Sequence, residues 1–493
     1  MTLEARAGQL AGKDQPIKVA GKFSAQLPGL LAQPLAGGAV RLTGGEATGT
    51  FAVESLGAKQ AVQASLSLTN LVADPKLTTE KLPSISADVR ADLSADGPIT
   101  LNLPLVLERD GRKSDLTLSG TVTPGKDSLA FNAQLTSNQL IVDDAKILAA
   151  PLASVPAEKG AAAPEKSAPR SAAPPWAAVS GQLTLALKKV VYSETMQASD
   201  VAGTIRLDAG SVKLVNGRAG LSPGSDAKIS GGVTFDGKSP QPFALAADVA
   251  VTDFDPAPLF RAINPGQPAT VEGKFTVASK LAGSAASLGD LAAGAHGDFQ
   301  LTSKGGTFHL PVNVSEKAET TSKLASGVAF LGNLAGAVTG RKDYSEIANR
   351  AQAVAEVSKL LKAIPYDQLS VVLARDAALN TVVKDFTLIS PEMRLTGGGK
   401  ATHKAGAGLL EDALSAEFKL RARGRTGDLL KYLGAIEPTA DELGYAGCTL
   451  PLKVSGTIGK PDTGELNRAL AALALEKSGA LDLFNRLIPG GGK

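Results

Sequence analysis

The chain is poor in large side chains and in cysteine. Aromatic residues make up 4% of its 493 residues, with one Trp, and Cys448 is its one cysteine. A single cysteine excludes an intrachain disulfide framework and any metal site built from several cysteines. A compact core of this size would use more aromatic anchors, and the chain is too long for one ordinary core. We therefore expect several domains or an elongated, repetitive architecture.

No charge of one sign predominates, and no cluster of catalytic residue types is evident. The chain has 51 Lys and Arg against 48 Asp and Glu, without a dense basic segment, so nucleic acid is not expected as a partner. His296, His309 and His403 have no partner at the sequence spacing of metal ligands or of a catalytic pair. The glycines at 397–399 precede Lys400 but do not match a phosphate-binding loop. The sequence therefore predicts no enzyme, no metal site and no cofactor.

Long apolar runs are also missing. No uninterrupted stretch of about 18 apolar residues could span a bilayer. Residues 1–10 lack the basic start and apolar segment of a signal peptide. We expect a soluble chain as given, or the exported part of a longer protein.

What the chain does contain is a recurring pattern: an apolar residue, any residue, Gly, any residue, and a second apolar residue. Side chains alternate along a strand, so the glycine and both apolar residues share one face. Gly inside a strand usually marks a bend or a close approach to the backbone. The pattern predicts one kind of strand made many times, with an apolar face that carries gaps. It occurs at Val19-Gly21-Phe23, Leu118-Gly120-Val122, Val179-Gly181-Leu183, Val201-Gly203-Ile205, Ile229-Gly231-Val233, Val271-Gly273-Phe275 and Val454-Gly456-Ile458.

Composition divides the chain into six segments. Turn signals such as Asp110-Gly111 and Asn216-Gly217 separate the predicted strands into hairpins. The Ala/Pro/Lys-rich stretch cannot bury enough apolar surface to order itself. The segments are 1–150 (β-groove), 151–176 (flexible linker), 177–315 (β-groove), 316–365 (amphipathic helical pair), 366–465 (β) and 466–493 (C-terminal amphipathic helix and tail).

The helical pair carries two apolar stripes at helical spacing. Leu324, Val328 and Leu331 belong to the first stripe, and Val354 and Leu361 to the second. These stripes predict either a lid that docks on the sheet or a face that lies on a membrane surface.

The sequence resembles the AsmA-like family. The strand pair at 385–399, ending in Gly-Gly-Gly, and the closing segment 450–461, with a Pro-led strand, Gly-Thr and a second Pro, are similar to the C-terminal region of that family. The order of apolar residues and glycines in 203–283 is similar as well. The resemblance covers about residues 176–465 and is thinner before 150. Its motifs are those of β-repeats and contain no catalytic signature.

The resemblance implies a location and a function. AsmA-like proteins of diderm bacteria are typically anchored in the inner membrane by an N-terminal helix, project into the periplasm and take part in outer-membrane lipid homeostasis and assembly. Their bridge-like relatives fold a β-sheet into an apolar trough. This chain departs from the pattern in one respect, because it shows no such anchor at its start.

Taken together, we predict a mainly β fold: an elongated, curved, antiparallel sheet that forms an apolar groove for phospholipid or other acyl chains. The alternatives are the same face packed against a second sheet, a structural or adhesive β-solenoid with a filled core, and, with least support, a degradative enzyme on a β-helix. The predicted lining is Leu118, Val122, Leu183, Leu185, Leu187, Ile205, Ile229, Val233, Phe235, Val271, Phe275, Val277, Val454 and Ile458. The glycines predicted to leave room for the guest or to let the sheet curl are Gly120, Gly181, Gly203, Gly231, Gly273 and Gly456.

Overall fold

The fold is built mainly from strands, as predicted. The structure is a computed structural model that describes residues 2–7, 17–31, 42–57, 59–75, 78–94, 97–149, 173–193, 196–263, 269–310, 342–406 and 408–475. The strands are β1 (Thr2–Ala7), β2 (Ile17–Gln26), β3 (Leu42–Leu56), β4 (Lys59–Ala73), β5 (Ser84–Ser94), β6 (Ile99–Arg109), β7 (Arg112–Pro124), β8 (Leu129–Ser137), β9 (Leu140–Ile141), β10 (Val179–Val191), β11 (Gln197–Asp208), β12 (Ser211–Gly220), β13 (Asp226–Phe235), β14 (Phe243–Phe254), β15 (Val271–Ala285), β16 (His296–Phe308), β17 (Ile364–Tyr366), β18 (Gln368–Arg375), β19 (Thr381–Ile389), β20 (Met393–Thr402), β21 (Ala413–Ala422), β22 (Ile436–Ala440), β23 (Ala446–Cys448), β24 (Leu452–Thr457) and β25 (Lys460–Asp462).

Helices are few among these residues, and all but one are short. They are α1 (Leu27–Leu31), α2 (Val142–Ala149), α3 (Ala257–Ile263), α4 (Leu288–Ala293), α5 (Lys342–Lys362), α6 (Gly424–Leu433) and α7 (Gly464–Leu475), with a 3₁₀ turn at Leu409–Glu411. Within the described ranges, no helix is both long and apolar enough to cross a membrane. Helix α5 confirms the second helix of the predicted pair, whereas the first, with Leu324, Val328 and Leu331, lies outside the described residues.

The chain divides into two compact units. Unit 1 contains Met1–Val249 and Gly283–Ala293, and unit 2 contains Ala250–Ala282 and Gly294–Lys493. The boundaries of the six segments predicted from composition differ from those of the two units, and they stay predictions. One end of the predicted linker needs correction, because Pro174 and Trp176 are buried and the carbonyl of Pro174 accepts the N–H of Ala177 at 3.0 Å.

In unit 1, strands β1 to β8 pair in chain order and antiparallel. Strand β10 then pairs parallel to β8, and β10 to β13 continue antiparallel. A parallel neighbour requires the chain to return to the same end of the sheet, and β9 and α2 lie in that crossover. The Asp110-Gly111 turn joins β6 and β7 with φ of 53° and 76°, as a two-residue hairpin requires.

In unit 2, strands β15, β16, β18, β19, β20, β21 and β24 pair antiparallel in that order. Helices α5, α6 and α7 cover part of one face of this sheet and form its core with the strands. The helical side chains in this core include Val357, Leu361, Leu430, Leu433, Leu466 and Leu470, and the strand side chains include Leu369, Leu388, Leu395 and Leu420. The amphipathic stripes of these helices are therefore buried against the sheet.

Candidate functional site: an apolar face on the sheet of unit 1

A continuous row of apolar residues crosses the sheet of unit 1. Eleven strands, β2 to β8 and β10 to β13, each place one residue in this central row, and each residue is the direct register partner of the next. Every member is apolar or glycine, and every member is half-buried. The row is Val19, Val53, Val62, Ala91, Leu101, Gly120, Ala133, Leu183, Ile205, Leu214 and Gly231. At the usual strand spacing it runs for roughly 48 Å along the sheet.

Two parallel rows widen this face, and their members are also half-buried. The first flanking row is Ile99, Val122, Phe131, Gly181, Leu207, Val212 and Val233. The second is Leu103, Leu118, Leu135, Leu185 and Gly203. We call the three rows together the apolar face. Uniform half-burial means that the side chains pack sideways against one another and keep part of their surface uncovered.

The opposite face of the same strands is polar. Lys18 and Glu54 form an ion pair at 3.1 Å, and the amide nitrogen of Gln182 donates to Oδ1 of Asn132 at 3.0 Å. Both pairs are exposed, so each contributes little to stability. The contrast between the two faces follows from the strict alternation of side chains along each strand.

One margin of the apolar face is closed by α1 and α2. Leu27, Leu71 and Leu82 form a small core there with partly buried Ile147 of α2. An ion pair holds α2 in place: Nε of Arg109 lies 2.6 Å from Oδ1 of Asp144, whose side chain is fully buried. Replacing either partner would leave the other charge buried and unpaired, which is strongly destabilising. We therefore expect α2 to stay in this position.

A depression with a volume of about 500 Å³ lies beside this margin. Phe23, Gly49, Leu66 and Ala87, which are direct register partners across β2 to β5, line it. The rest of its lining comes from the residues next to them: Lys22, Thr48, Thr50, Ser65, Ser67, Ser86 and Asp88.

The other margin carries an aromatic cluster, by which we mean Trp176, Phe235 and Phe243. The rings of Trp176 and Phe243 lie 6.1 Å apart at 54°, and those of Phe235 and Phe243 lie 5.1 Å apart at 59°. Leu291 of α4 completes the cluster, and Leu207, Val212, Val233 and Leu245 pack against it. The aromatic cluster thus adjoins the first flanking row.

The glycines of the recurring pattern lie where the strand backbone approaches a neighbouring strand closely. All six predicted groove glycines have positive φ, from 90° to 159°. A Cβ on Gly231 would lie 2.4 Å from the carbonyl oxygen of Ala246, and one on Gly273 would lie 2.6 Å from that of Gly305. L-residues rarely adopt this conformation, and the added atom would collide with neighbouring backbone. These glycines are therefore required by the strand backbone, and their other predicted role, leaving room for a guest, stays a prediction.

The predicted lining residues divide between the two units. Leu118, Val122, Leu183, Leu185, Ile205 and Val233 lie in the three rows, with Ile229 and Phe235 on the same face of β13, and Leu187 is buried at 7% exposure beside Val201. Those in unit 2 lie elsewhere. Val271 and Phe275, at 9% and 3% exposure, belong to the core under the helices, and Val277 packs against it.

The remaining predicted residues lie near the C-terminal strands or on α5. Val454 is buried, exposed Gly456 has φ 90°, and Ile458 follows the end of β24 in a turn. On α5, Leu361 is buried in the core of unit 2 and Val354 is half-buried against it. Core packing of this kind leaves Leu361 unable to lie on a membrane surface without local unfolding.

Two titratable groups lie in environments that sequence spacing does not reveal. Nδ1 of His403 lies 2.8 Å from Oδ1 of Asp412, a fully buried carboxylate, which is a contact that the sequence spacing did not indicate. Burial raises the pKa of the Cys448 thiol to about 11, which keeps it protonated and unreactive at neutral pH. Within the described ranges, no group of three or more His, Cys, Asp or Glu is placed to hold a metal ion.

Sequence reasoning missed about half of the apolar face. Val53, Val62, Ala91, Leu101 and Ala133 lie in the central row but not in the glycine pattern that guided the prediction. Their signal was the plain alternation of apolar and polar residues, which places a residue on a face without naming its neighbour on the next strand.

Comparison with known proteins places the chain in a family. The model of the AsmA family matches residues 49–330, which is more than half of the chain and includes the strands of the apolar face from the middle of β3 to β13. No curated protein and no solved structure matches it significantly. The match names the same family as the resemblance seen in the sequence, although it ends before the segments 385–399 and 450–461 that carried that resemblance. The chain belongs to the AsmA family.

Proposed function

We propose that this protein binds phospholipid acyl chains on the apolar face of unit 1 and holds or conducts them without chemical change. The observation that supports this is the uninterrupted central row, in which eleven consecutive register partners are apolar or glycine and half-buried. Each member keeps part of its apolar surface uncovered, and continuous uncovered apolar surface of this kind is typical of binding sites.

The energetics favour a flexible apolar guest. Burial of one methylene contributes about 0.8 kcal/mol, so an acyl chain of about 15 methylenes with half its surface covered would gain about 6 kcal/mol. Apart from Phe131, the side chains of the rows are aliphatic, and none carries a polar group. Such a surface suits a flexible acyl chain. Membership of the AsmA family supports a role in the bacterial cell envelope. We propose the periplasm as the location, with attachment to the inner membrane, and a contribution to outer-membrane lipid homeostasis.

A pair of neighbouring substitutions tests the proposal. Leu185 lies in the second flanking row, between Leu135 and Gly203, whereas exposed Ala186 points to the opposite face. Leu185→Asp places a carboxylate in the path of the acyl chain, and Ala186→Asp adds the same group outside it. We expect Leu185→Asp to lower bound lipid at least tenfold, because a charge is costly to bury against hydrocarbon. Ala186→Asp should retain the lipid.

Bound lipid is measured by native mass spectrometry and by lipid extraction of protein purified from envelope fractions, with melting temperatures from the same samples. Leu185 is largely but not fully buried, so losing its side chain costs about 2 kcal/mol and both variants should remain folded. Equal lipid in the two variants would contradict the proposal. Wild type without lipid, combined with a large destabilisation by Leu185→Asp, would favour the filled-core structural alternative.

A further inference from the structure

The single tryptophan of the chain lies where β10 begins. The N–H of Val179 donates to the carbonyl of Trp176 at 2.8 Å, and Ala177 donates to Pro174 at 3.0 Å, so a tight turn fixes the backbone of this residue. Trp176 is 9% exposed, and its ring packs in the aromatic cluster at the margin of the apolar face. Trp176 is therefore held by its backbone and by its ring beside the proposed path of the lipid.

The indole N–H has no hydrogen-bond acceptor in the part of the chain that the structure describes. Nε1 of Trp176 is buried and has no protein partner, while its neighbours Phe235, Phe243 and Leu291 offer no side-chain acceptor. Buried donors are almost always satisfied, and tryptophan usually finds a partner for its N–H. This donor lies next to the apolar face and is free, among the described residues, to take an acceptor from a bound ligand.

We propose that the Trp176 indole N–H donates a hydrogen bond to an ester carbonyl oxygen of a phospholipid bound on the apolar face. This inference rests on the proposed function and adds a polar contact to it. An ester carbonyl lies at the junction of the acyl chain and the glycerol, so it meets Trp176 when the glycerol end of a bound lipid lies at this margin. A neutral acceptor fits an apolar, aromatic surrounding better than a charged phosphate, which is costly to desolvate. Because Nε1 is buried in the aromatic cluster, a lipid can reach it only when the ring of Trp176 or of Phe235 moves.

Nuclear magnetic resonance tests the contact directly in the wild-type protein. With one Trp, the ¹H–¹⁵N spectrum contains one indole signal. The probes are two phosphatidylglycerols with the same headgroup and chain lengths, one with ester-linked and one with ether-linked chains. We expect the ester lipid to move the resonance of the indole proton downfield, as a new hydrogen bond does. The ether lipid has no carbonyl and should not cause this downfield shift.

A thermodynamic cycle supplies the second test. Trp176→Phe keeps an aromatic ring but removes the donor, and Phe235→Leu is the matched control that alters the same cluster and keeps the donor. A neutral hydrogen bond is worth about a fivefold difference in affinity. Trp176→Phe should weaken binding of the ester lipid about fivefold and leave the ether lipid unchanged, whereas Phe235→Leu should preserve the preference for the ester.

The outcomes separate this inference from the proposed function. If wild type binds both lipids equally and the indole signal behaves alike with each, the hydrogen bond is refuted while acyl-chain binding stands. If neither lipid binds the wild type, the proposed function itself fails. A Trp176→Phe variant that does not fold leaves the wild-type resonance experiment to decide.

Discussion

Replacing Gly231 by alanine tests whether the recurring glycines serve the backbone or leave gaps in the apolar face. Gly231 has φ 154°, and an added Cβ would lie 2.4 Å from the carbonyl oxygen of Ala246 and 2.6 Å from Cα of Ala247. Both contacts involve backbone, which cannot rotate away as a flexible side chain can. We therefore expect Gly231→Ala to destabilise unit 1 although it adds one methyl group.

The magnitude follows from two contributions. A non-glycine residue held in this region costs about 1–3 kcal/mol, and overpacking against fixed neighbours costs about 1–3 kcal/mol more. The sum is about 2–6 kcal/mol. For a unit of this size each kcal/mol lowers the melting temperature by about 2–4 °C, so a decrease of roughly 10 °C is expected.

Gly210 provides the matched control. It lies between β11 and β12, where an added Cβ would have one neighbour, Oδ1 of Asp208 at 3.9 Å. Gly210→Ala should stay within about 0.5 kcal/mol of wild type. Thermal unfolding followed by circular dichroism and by Trp fluorescence measures both variants. If Gly231→Ala melts at or above the wild-type temperature, the glycine is a gap and the backbone argument is refuted.

Three further predictions concern the core of unit 2, a carboxylate and the linker. Val357→Ala should lower the free energy of unfolding by about 2 kcal/mol in urea titrations because Val357 is fully buried under α5, while Gln352→Ala on the exposed side of the helix should change it by less than about 0.5 kcal/mol. The side-chain hydroxyl of Thr426 donates to Glu392 at 2.7 Å and is the main cause of the lowered pKa of that carboxyl. Because the pKa is lowered in the folded protein, ionised Glu392 stabilises the fold at neutral pH, and this stabilisation is lost in acid. Thr426→Val should therefore destabilise more at pH 7 than at about pH 3. Deletion of 153–172 with a short Gly/Ser replacement should leave the melting temperature unchanged, and a decrease of several degrees would show that this segment packs on the protein.

Several features of the fold could be predicted from the sequence because they depend on local chemistry. Alternating side chains placed Leu183 and Leu185 on one face of a strand, and the stripe of Val354 and Leu361 predicted α5. Asp110-Gly111 gave a two-residue hairpin, since these residue types accept positive φ at low cost. The pair Asn216-Gly217 carries the same signal, yet it lies inside β12 at a register shift between Leu214 and Gly217. Local sequence indicates that the backbone needs positive φ, but strand pairing decides between a turn and a bulge.

Other features depended on which elements meet in space. Sequence placed Phe275 and Leu183 in the same class of lining residue, but Phe275 lies in the core under the helices and Leu183 lies in the half-buried central row. Likewise, no spacing along the chain indicated that Trp176 would join Phe243 or that His403 would meet Asp412. Periodicity fixes the direction of a side chain relative to its own strand, because it arises from the pleat of the backbone. What covers that side chain is fixed by contacts between residues far apart in sequence, which only the tertiary structure decides.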